Sequence, residues 1–203
     1  MASEFDGRST QTNMIERIKS MILKPKGEWA RIDAEPKTPR DIVLGWVVPL
    51  AAIGPAAGAI GQIVFGVPVP FVGTVRPDPM AVVATAITGY VLSILSFFIV
   101  SAIINALAPS FGGVKNMIQA MKVAAYSMTA TYIGGIFSIV PVLAPLGMLL
   151  SLYGFYLLYL GLPLLMRTPQ EKGVLYTVVT VVCVIVVSFV LGMVALNAGA
   201  ALR

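Results

Sequence analysis

VAAYSMTATYIGGIFSIVPVLAPLGMLLSLYGFYLLYLGLPLLM, residues 123–166, is a run of 44 residues without a single charge. About 20 apolar residues suffice to cross the hydrocarbon of a bilayer as a helix, so this run is too long for one crossing. Pro141 and Pro145 flank a short Val-Leu-Ala segment near its middle, and proline interrupts the helical hydrogen-bond ladder. The stretch therefore predicts a helical hairpin in the membrane. Charge-free runs also extend over Ile42–Val75, Pro79–Val114 and Gly173–Leu202. Backbone groups cannot go unpaired in lipid, and none of these runs has the short alternating segments of a barrel strand. The expected fold is an all-α integral membrane protein, a bundle of five transmembrane helices near Ile42–Gly66, Ala81–Ala108, Met121–Ile139, Leu146–Met166 and Val174–Asn197.

Composition agrees with the bilayer as solvent. Of 203 residues 58% are hydrophobic and 11% charged, too few charges for a water-soluble domain of this length. Histidine is absent and Cys183 is the single cysteine. Intrachain disulfides, Cys/His zinc sites and histidine-assisted nucleophiles are thereby excluded. No charged residue falls in the middle of an expected span, whereas ion-coupled transporters place such groups there. We expect no enzymatic activity, catalytic residue, metal or cofactor.

Lys and Arg set the orientation. Eight precede the first span: Arg8, Arg17, Lys19, Lys24, Lys26, Arg31, Lys37 and Arg40. The connections then hold Arg76, Lys115 with Lys122, none, and Arg167 with Lys172, before Arg203 ends the chain. A cytoplasmic N-terminus puts twelve of the fourteen inside, as the positive-inside rule requires, and leaves the C-terminus outside. The expected location is a membrane crossed several times, with the N-terminus on its cytoplasmic face. The net charge of +5 is accounted for by topology and does not imply a nucleic-acid partner. Residues 1–41 contain no apolar core of signal-peptide length, so the first span is expected to serve as an uncleaved insertion signal.

The chain divides into a polar extension expected to be disordered (1–13), a cytoplasmic amphipathic segment (14–40) and the membrane domain (41–203). Asn13 and Glu16 resemble a capping box. Met14, Ile15, Ile18, Met21 and Ile22 then share one face of a short helix, with Glu16, Arg17, Lys19 and Ser20 opposite. A second short helix is expected from Pro25, with Trp29 and Ile32 on its apolar side. Ile15, Ile18, Ile22, Trp29 and Arg31 are the candidate interface residues, serving either to dock a cytoplasmic protein partner or to anchor the segment on headgroups. The connection from Pro109 to Lys122 is expected to dip into the interface or to meet these helices. An extended outer loop is expected at VPVPFVGTVRPDP, 67–79.

Two glycine series allow close helix approach: Gly54, Gly58 and Gly61 in the first span, and Gly147, Gly154 and Gly161 in the fourth. They imply internal packing or association of copies. Tyr126 and Tyr176 lie where interfacial belt residues are found, and Cys183 is expected to be a packing residue. The Ser, Thr and Tyr groups, with Gln62 and Asn105, either bond within and between helices or line a polar route.

Three segments, ILKPKGEWARI (22–32), AAYSMTATYIGGI (124–136) and LYGFYLLYLGLPLLMRTPQEKGVLYTVV (152–179), resemble the Yip1 domain family, in its bacterial branch, over Met14 to the C-terminus. The resemblance implies a five-helix membrane domain with a cytoplasmic N-terminus. Eukaryotic relatives act in vesicle traffic, associate with one another and bind prenylated Rab GTPases. Their Asp-Leu-Tyr-Gly-Pro hallmark is replaced here by Asp41-Ile42-Val43-Leu44-Gly45, and Ala130 stands where relatives often have Pro after Tyr-Ser-x-Thr. The expected function is a non-enzymatic membrane scaffold or adaptor in contact with the lipid bilayer. It is expected to be a homo-oligomer, or to meet other membrane proteins, while presenting residues 14–40. The alternative is a passive channel or lipid-handling protein.

Overall fold

The computed structural model describes the backbone of residues 13–201 and the side chains of 13–194. The disorder expected of residues 1–12 concerns residues outside that range. Among the described residues, four helices are long and apolar enough to cross a membrane: α3 (Pro39–Phe65), α4 (Pro79–Leu107, continued by a 3-10 turn to Phe111), α7 (Ala144–Leu165) and α8 (Gln170–Ala201). Two shorter helices, α1 (Met14–Leu23) and α2 (Pro25–Ala34), precede them, and α5 (Met117–Ser127) and α6 (Thr129–Gly134) lie between α4 and α7.

Several helix starts have a local cause. The side chain of Asn13 accepts from the Ile15 amide, Pro25 opens α2 where its missing N–H costs nothing, and Thr38 and Asp41 form a reciprocal capping box. The Pro36–Pro39 connector is therefore shorter than the sequence implies, because a helix starts at Pro39. Pro49 has no N–H to donate, and a π-turn over Val43–Val47 precedes it in α3. Asp78 caps α4 through the amides of Met80 and Ala81.

Two features differ from the sequence expectation. The proline-rich 67–79 segment contains a small antiparallel hairpin, β1 (Val67–Val69) with β2 (Gly73–Val75), rather than only an extended loop. The turn between the strands closes from Val72 N–H to the Val69 carbonyl with Phe71 at φ 65°, and Gly66 at φ 75° and Gly73 at φ 96° flank the strands. The expected third span, Met121–Ile139, is helical but broken: α5 ends at Ser127, α6 follows from Thr129, and Gly135–Ile139 tightens to a 3-10 turn. The Thr129 hydroxyl donates to the Ala125 carbonyl, a back-bond that bends helices, and the Gly134-Gly135 pair leaves the backbone free to tighten. Neither piece is long enough to cross alone.

The buried core runs along α3, α4, α5 and α7 and takes in Met21, Trp29 and Ile32 from α1 and α2. The two short helices are therefore part of the domain. The six glycines expected at helix contacts all face this chain's own backbone or side chains. Gly54 meets Gly135, Gly58 meets Ser138, and Gly61 meets the Ser138 and Ile139 carbonyls; Gly147 meets Gly134, Gly154 meets Ser127, and Gly161 meets Trp29. A Cβ on Gly147 would stand 2.6 Å from the Gly134 oxygen, so α7 packs on α6 at a distance only glycine permits.

Candidate functional site: the cap on the basic end of the bundle

Arg17 lies at the centre of this site. Met14, Arg17 and Met21 share a stripe at i, i+3, i+7, and because Met21 faces the core, Arg17 is carried inward with it to 4% exposure. A buried guanidinium requires partners. Its Nη1 donates to Glu35 Oε2 at 2.6 Å and to the Tyr126 hydroxyl at 3.3 Å, its Nη2 donates to Glu35 Oε1, and its Nε lies 3.4 Å from Glu28. The two-pronged bond to Glu35 is the strong form of this pair. It raises the Arg17 pKa against the opposing effect of burial, and it holds the Glu35 carboxyl below its ordinary value.

Aromatic rings form the floor beneath the ion pair. The Arg17 guanidinium carbon is 5.8 Å from the Tyr126 ring centre, and Lys37 Nζ is 5.9 Å from it, both within cation–π range. Trp46 and Trp29 pack on the same tyrosine at 4.8 and 6.3 Å. The Trp46 indole donates to Thr129 Oγ1 at 3.0 Å, which ties α3 to α6 at the helix break.

A second clamp comes from α5. The Lys122 ammonium donates to the Ile32 and Glu35 carbonyls at 2.8 and 2.7 Å. These lie at and just beyond the C-terminal end of α2, where a helix presents unpaired acceptors. Gln119 donates to Asp33 at 3.0 Å, and Arg167 bridges the same aspartate at 2.9 Å. The Tyr153 hydroxyl donates to the Ile22 carbonyl at 2.8 Å. Of the two expectations for the 109–122 connection, the structure shows contact with the N-terminal helices. The same end carries the 112–114 and 166–169 turns, joined by Val114 N–H to the Met166 carbonyl at 2.9 Å.

The expected interface residues separate into two groups. Trp29 is 1% exposed, and Ile18 and Ile22 are partly buried against the bundle; Ile15 at 59% and the Arg31 side chain at 69% face outward, and Arg31 reaches back to Glu28 at 3.7 Å. Leu23, at 75%, joins the outward group. Tyr126 and Tyr176 are not belt residues: both are fully buried, and Tyr176 donates to the Ile104 carbonyl while stacking on Phe111. Arg17 is not on the polar face opposite Met14 and Met21, as expected, but on their own stripe, between partly buried Met14 and buried Met21; that spacing was the available signal, and nothing local marked Glu35, Lys122 or Tyr126 as its neighbours.

Deeper in the bundle, a cavity of about 290 Å³ lies among α4, α5, α6, α7 and α8. Ser93, Ser96, Ser127, Thr131, Tyr132 and Ser151 contribute hydroxyls to it, and Ser127 Oγ is buried without a hydrogen-bond partner. Most other intramembrane hydroxyls, such as Thr88, Ser101 and Thr177, donate to carbonyls four residues back. Gln62 and Asn105 do not line this cavity.

Against the profile of the Yip1 domain, residues 19–192 match. The chain belongs to the Yip1 domain family. Neither a search of curated proteins nor one of solved structures gives a match. The matched range takes in the last five residues of α1, all of α2, the first three spanning helices and α8 as far as Gly192, and Arg17 lies just ahead of it. The protein is a multi-pass membrane protein in contact with lipid.

Proposed function

We propose that this Yip1-family protein is a non-enzymatic membrane scaffold whose N-terminal helices form a fixed cytoplasmic platform. The observation that carries the proposal is the burial of Arg17 between Glu35 and Tyr126, which fixes α1 and α2 on the bundle and leaves Ile15, Leu23 and Arg31 facing outward. A platform held in one geometry loses little conformational entropy when a partner docks. The basic connections gather at the cap end, which supports a cytoplasmic cap; the resemblance to the bacterial branch of the family is what favours a bacterial inner membrane. We count five crossings. The broken α5–α6 segment starts beside the cap at Gln119 and ends against Gly61 near the far end of α3, and its interrupted backbone is tolerated because neighbouring helices bury it.

Self-association belongs to this proposal in a changed form. The glycine faces are already filled from within, so copies would meet on lipid-facing surfaces such as those at Gly89 and Gly192, which have open space beside them. Crosslinking in native membranes with identification of neighbours tests the platform. Because Trp29 and Ile32 are core residues, the informative variant is Ile15→Glu with Leu23→Glu rather than a deletion. Loss of particular neighbours is expected, and an unchanged neighbour set with a folded protein would defeat the docking role. The hydroxyl cavity favours lipid handling as the second reading; scrambling by purified protein in liposomes, lost on filling the cavity through Ser96→Leu, would favour it over the scaffold.

A further inference from the structure

We propose that the groove between α2 and the α7–α8 corner binds the head group of an anionic phospholipid from the leaflet facing the cap. The groove has a volume of about 880 Å³, within the range of pockets that hold whole small ligands. Lys26 and Trp29 enter it from α2, Leu160 and Leu164 from α7, and Arg167 and Thr168 from the turn. Among the described residues, no acidic side chain lines it. Both cations are exposed; Lys26 has no ion pair among the described residues, and Arg167 uses only part of its five-donor fork on Asp33 and the Leu164 carbonyl.

Two further observations show unspent binding capacity. Trp29 Nε1 and Thr168 Oγ1 are both buried without a hydrogen-bond partner, although Trp29 is 1% and Thr168 6% exposed. Buried donors without acceptors are rare in folded proteins; Thr168 Oγ1 packs towards Gly113, outside the groove lining, whereas Trp29 Nε1 belongs to a residue that lines the groove and is the donor a phosphate oxygen would satisfy. Arg167 also holds a left-handed backbone at φ 55°, a costly conformation for a residue with a Cβ and one that concentrates at functional sites. On its other wall the groove is apolar. Leu160 and Leu164 lie on a helix that crosses the bilayer, so that wall is continuous with hydrocarbon. A phospholipid satisfies both halves; free phosphate leaves the apolar wall unused, and a zwitterionic lipid leaves Lys26 without net compensation, Arg167 already being paired with Asp33.

The inference rests on the proposed placement of the cap against the inner leaflet, and native mass spectrometry of the full chain tests it. The protein is released from nanodiscs holding equal amounts of phosphatidylglycerol and phosphatidylcholine. One phosphatidylglycerol is expected to stay bound, with Lys26→Glu lowering its retention at least about fivefold, the scale set by one basic residue at an anionic surface. Trp29→Phe keeps an aromatic ring in the groove wall and removes the N–H. It is expected to weaken retention severalfold while the remaining Trp46 emission reports an intact core. Equal retention of the two lipids, full retention by Lys26→Glu, or complete displacement by inorganic phosphate would each overturn the proposal. Impermeant thiol labelling at Lys24→Cys separates the two ideas: with the cap on the cytoplasmic face, such a failure removes only the lipid site, and with the cap outside, both fall.

Discussion

Arg17→Met removes the buried cation and leaves its partners in place. Losing one partner of a buried ion pair costs about 3–5 kcal/mol, most of it for the charge left behind. The two acids differ in what they are left with. The Glu28 side chain is 2% exposed and keeps only Arg31 at 3.7 Å, whereas the Glu35 side chain is 32% exposed and rehydrates. The cost should therefore lie at the lower end, about 3 kcal/mol, and come mainly from Glu28. Adding Glu28→Gln removes that stranded charge and should return the loss to about 1 kcal/mol, since replacing both members of a buried pair is often close to neutral. Two built-in probes make the assay direct. Both tryptophans of the chain, Trp29 and Trp46, pack on Tyr126, so emission moves to the red if the cap lifts. The single thiol, Cys183, is half-buried in the last span and reports global unfolding through a thiol-reactive dye. An Arg17→Met protein with unshifted emission and unchanged midpoint, or one that Glu28→Gln makes worse, would refute this account of the cap.

The other predictions concern packing and pH. A Cβ at Gly161 would stand 2.7–2.8 Å from three indole carbons of Trp29, so Gly161→Ala should push α2 off α7 at about 1–3 kcal/mol; Gly27→Ala in the same helix has nothing within 4 Å and should stabilise by about 0.5–1 kcal/mol, both read as thermal midpoints in detergent. Gly147→Ala meets the Gly134 carbonyl, which as backbone cannot rotate away, and a similar loss is expected there with the cap emission unchanged. The Glu35 carboxyl is held below its ordinary value, first by its hydrogen bond to Arg17. Its contribution is therefore complete above the unfolded value of 4.5 and disappears as pH falls through the lower folded value. The emission shift of acidified protein should begin only below that point and should be absent from the acid titration of Glu35→Gln.

Sequence made the membrane helices legible because hydrocarbon imposes a long, charge-free run that needs no partner to recognise. The spanning helices begin and end within a few residues of the expected limits, with Asp78 and Pro39 fixing two starts by local chemistry. The broken crossing was harder to see. Its run is apolar throughout, and the interruption depends on how Thr129 bonds to Ala125 and Trp46. The 67–75 hairpin turns at Phe71, a non-glycine residue in left-handed backbone that a proline-rich segment gives no reason to expect. The cap was half legible. Its two helices and the Pro25 start follow from periodicity and proline chemistry, while the burial of Arg17 joins residues 18 and 109 positions apart. Pairings at that separation are set by packing and leave no local pattern. The same limit applied to Tyr126, whose place near a span end resembles an interfacial residue until Trp29 and Trp46 close over it.

The account depends most on a cap at one end of a bundle that crosses the bilayer an odd number of times. Single cysteines at Leu23, Lys115 and Glu171 on the cap side, and at Phe71 and Val142 on the other, can be placed in a Cys183→Ala background and treated with a membrane-impermeant thiol reagent on intact cells. All five positions are exposed. The account predicts labelling of Phe71→Cys and Val142→Cys from outside, with the other three reacting only after permeabilisation. If Val142→Cys labels together with Lys115→Cys, the α5–α6 segment does not cross, and the five-crossing arrangement is wrong.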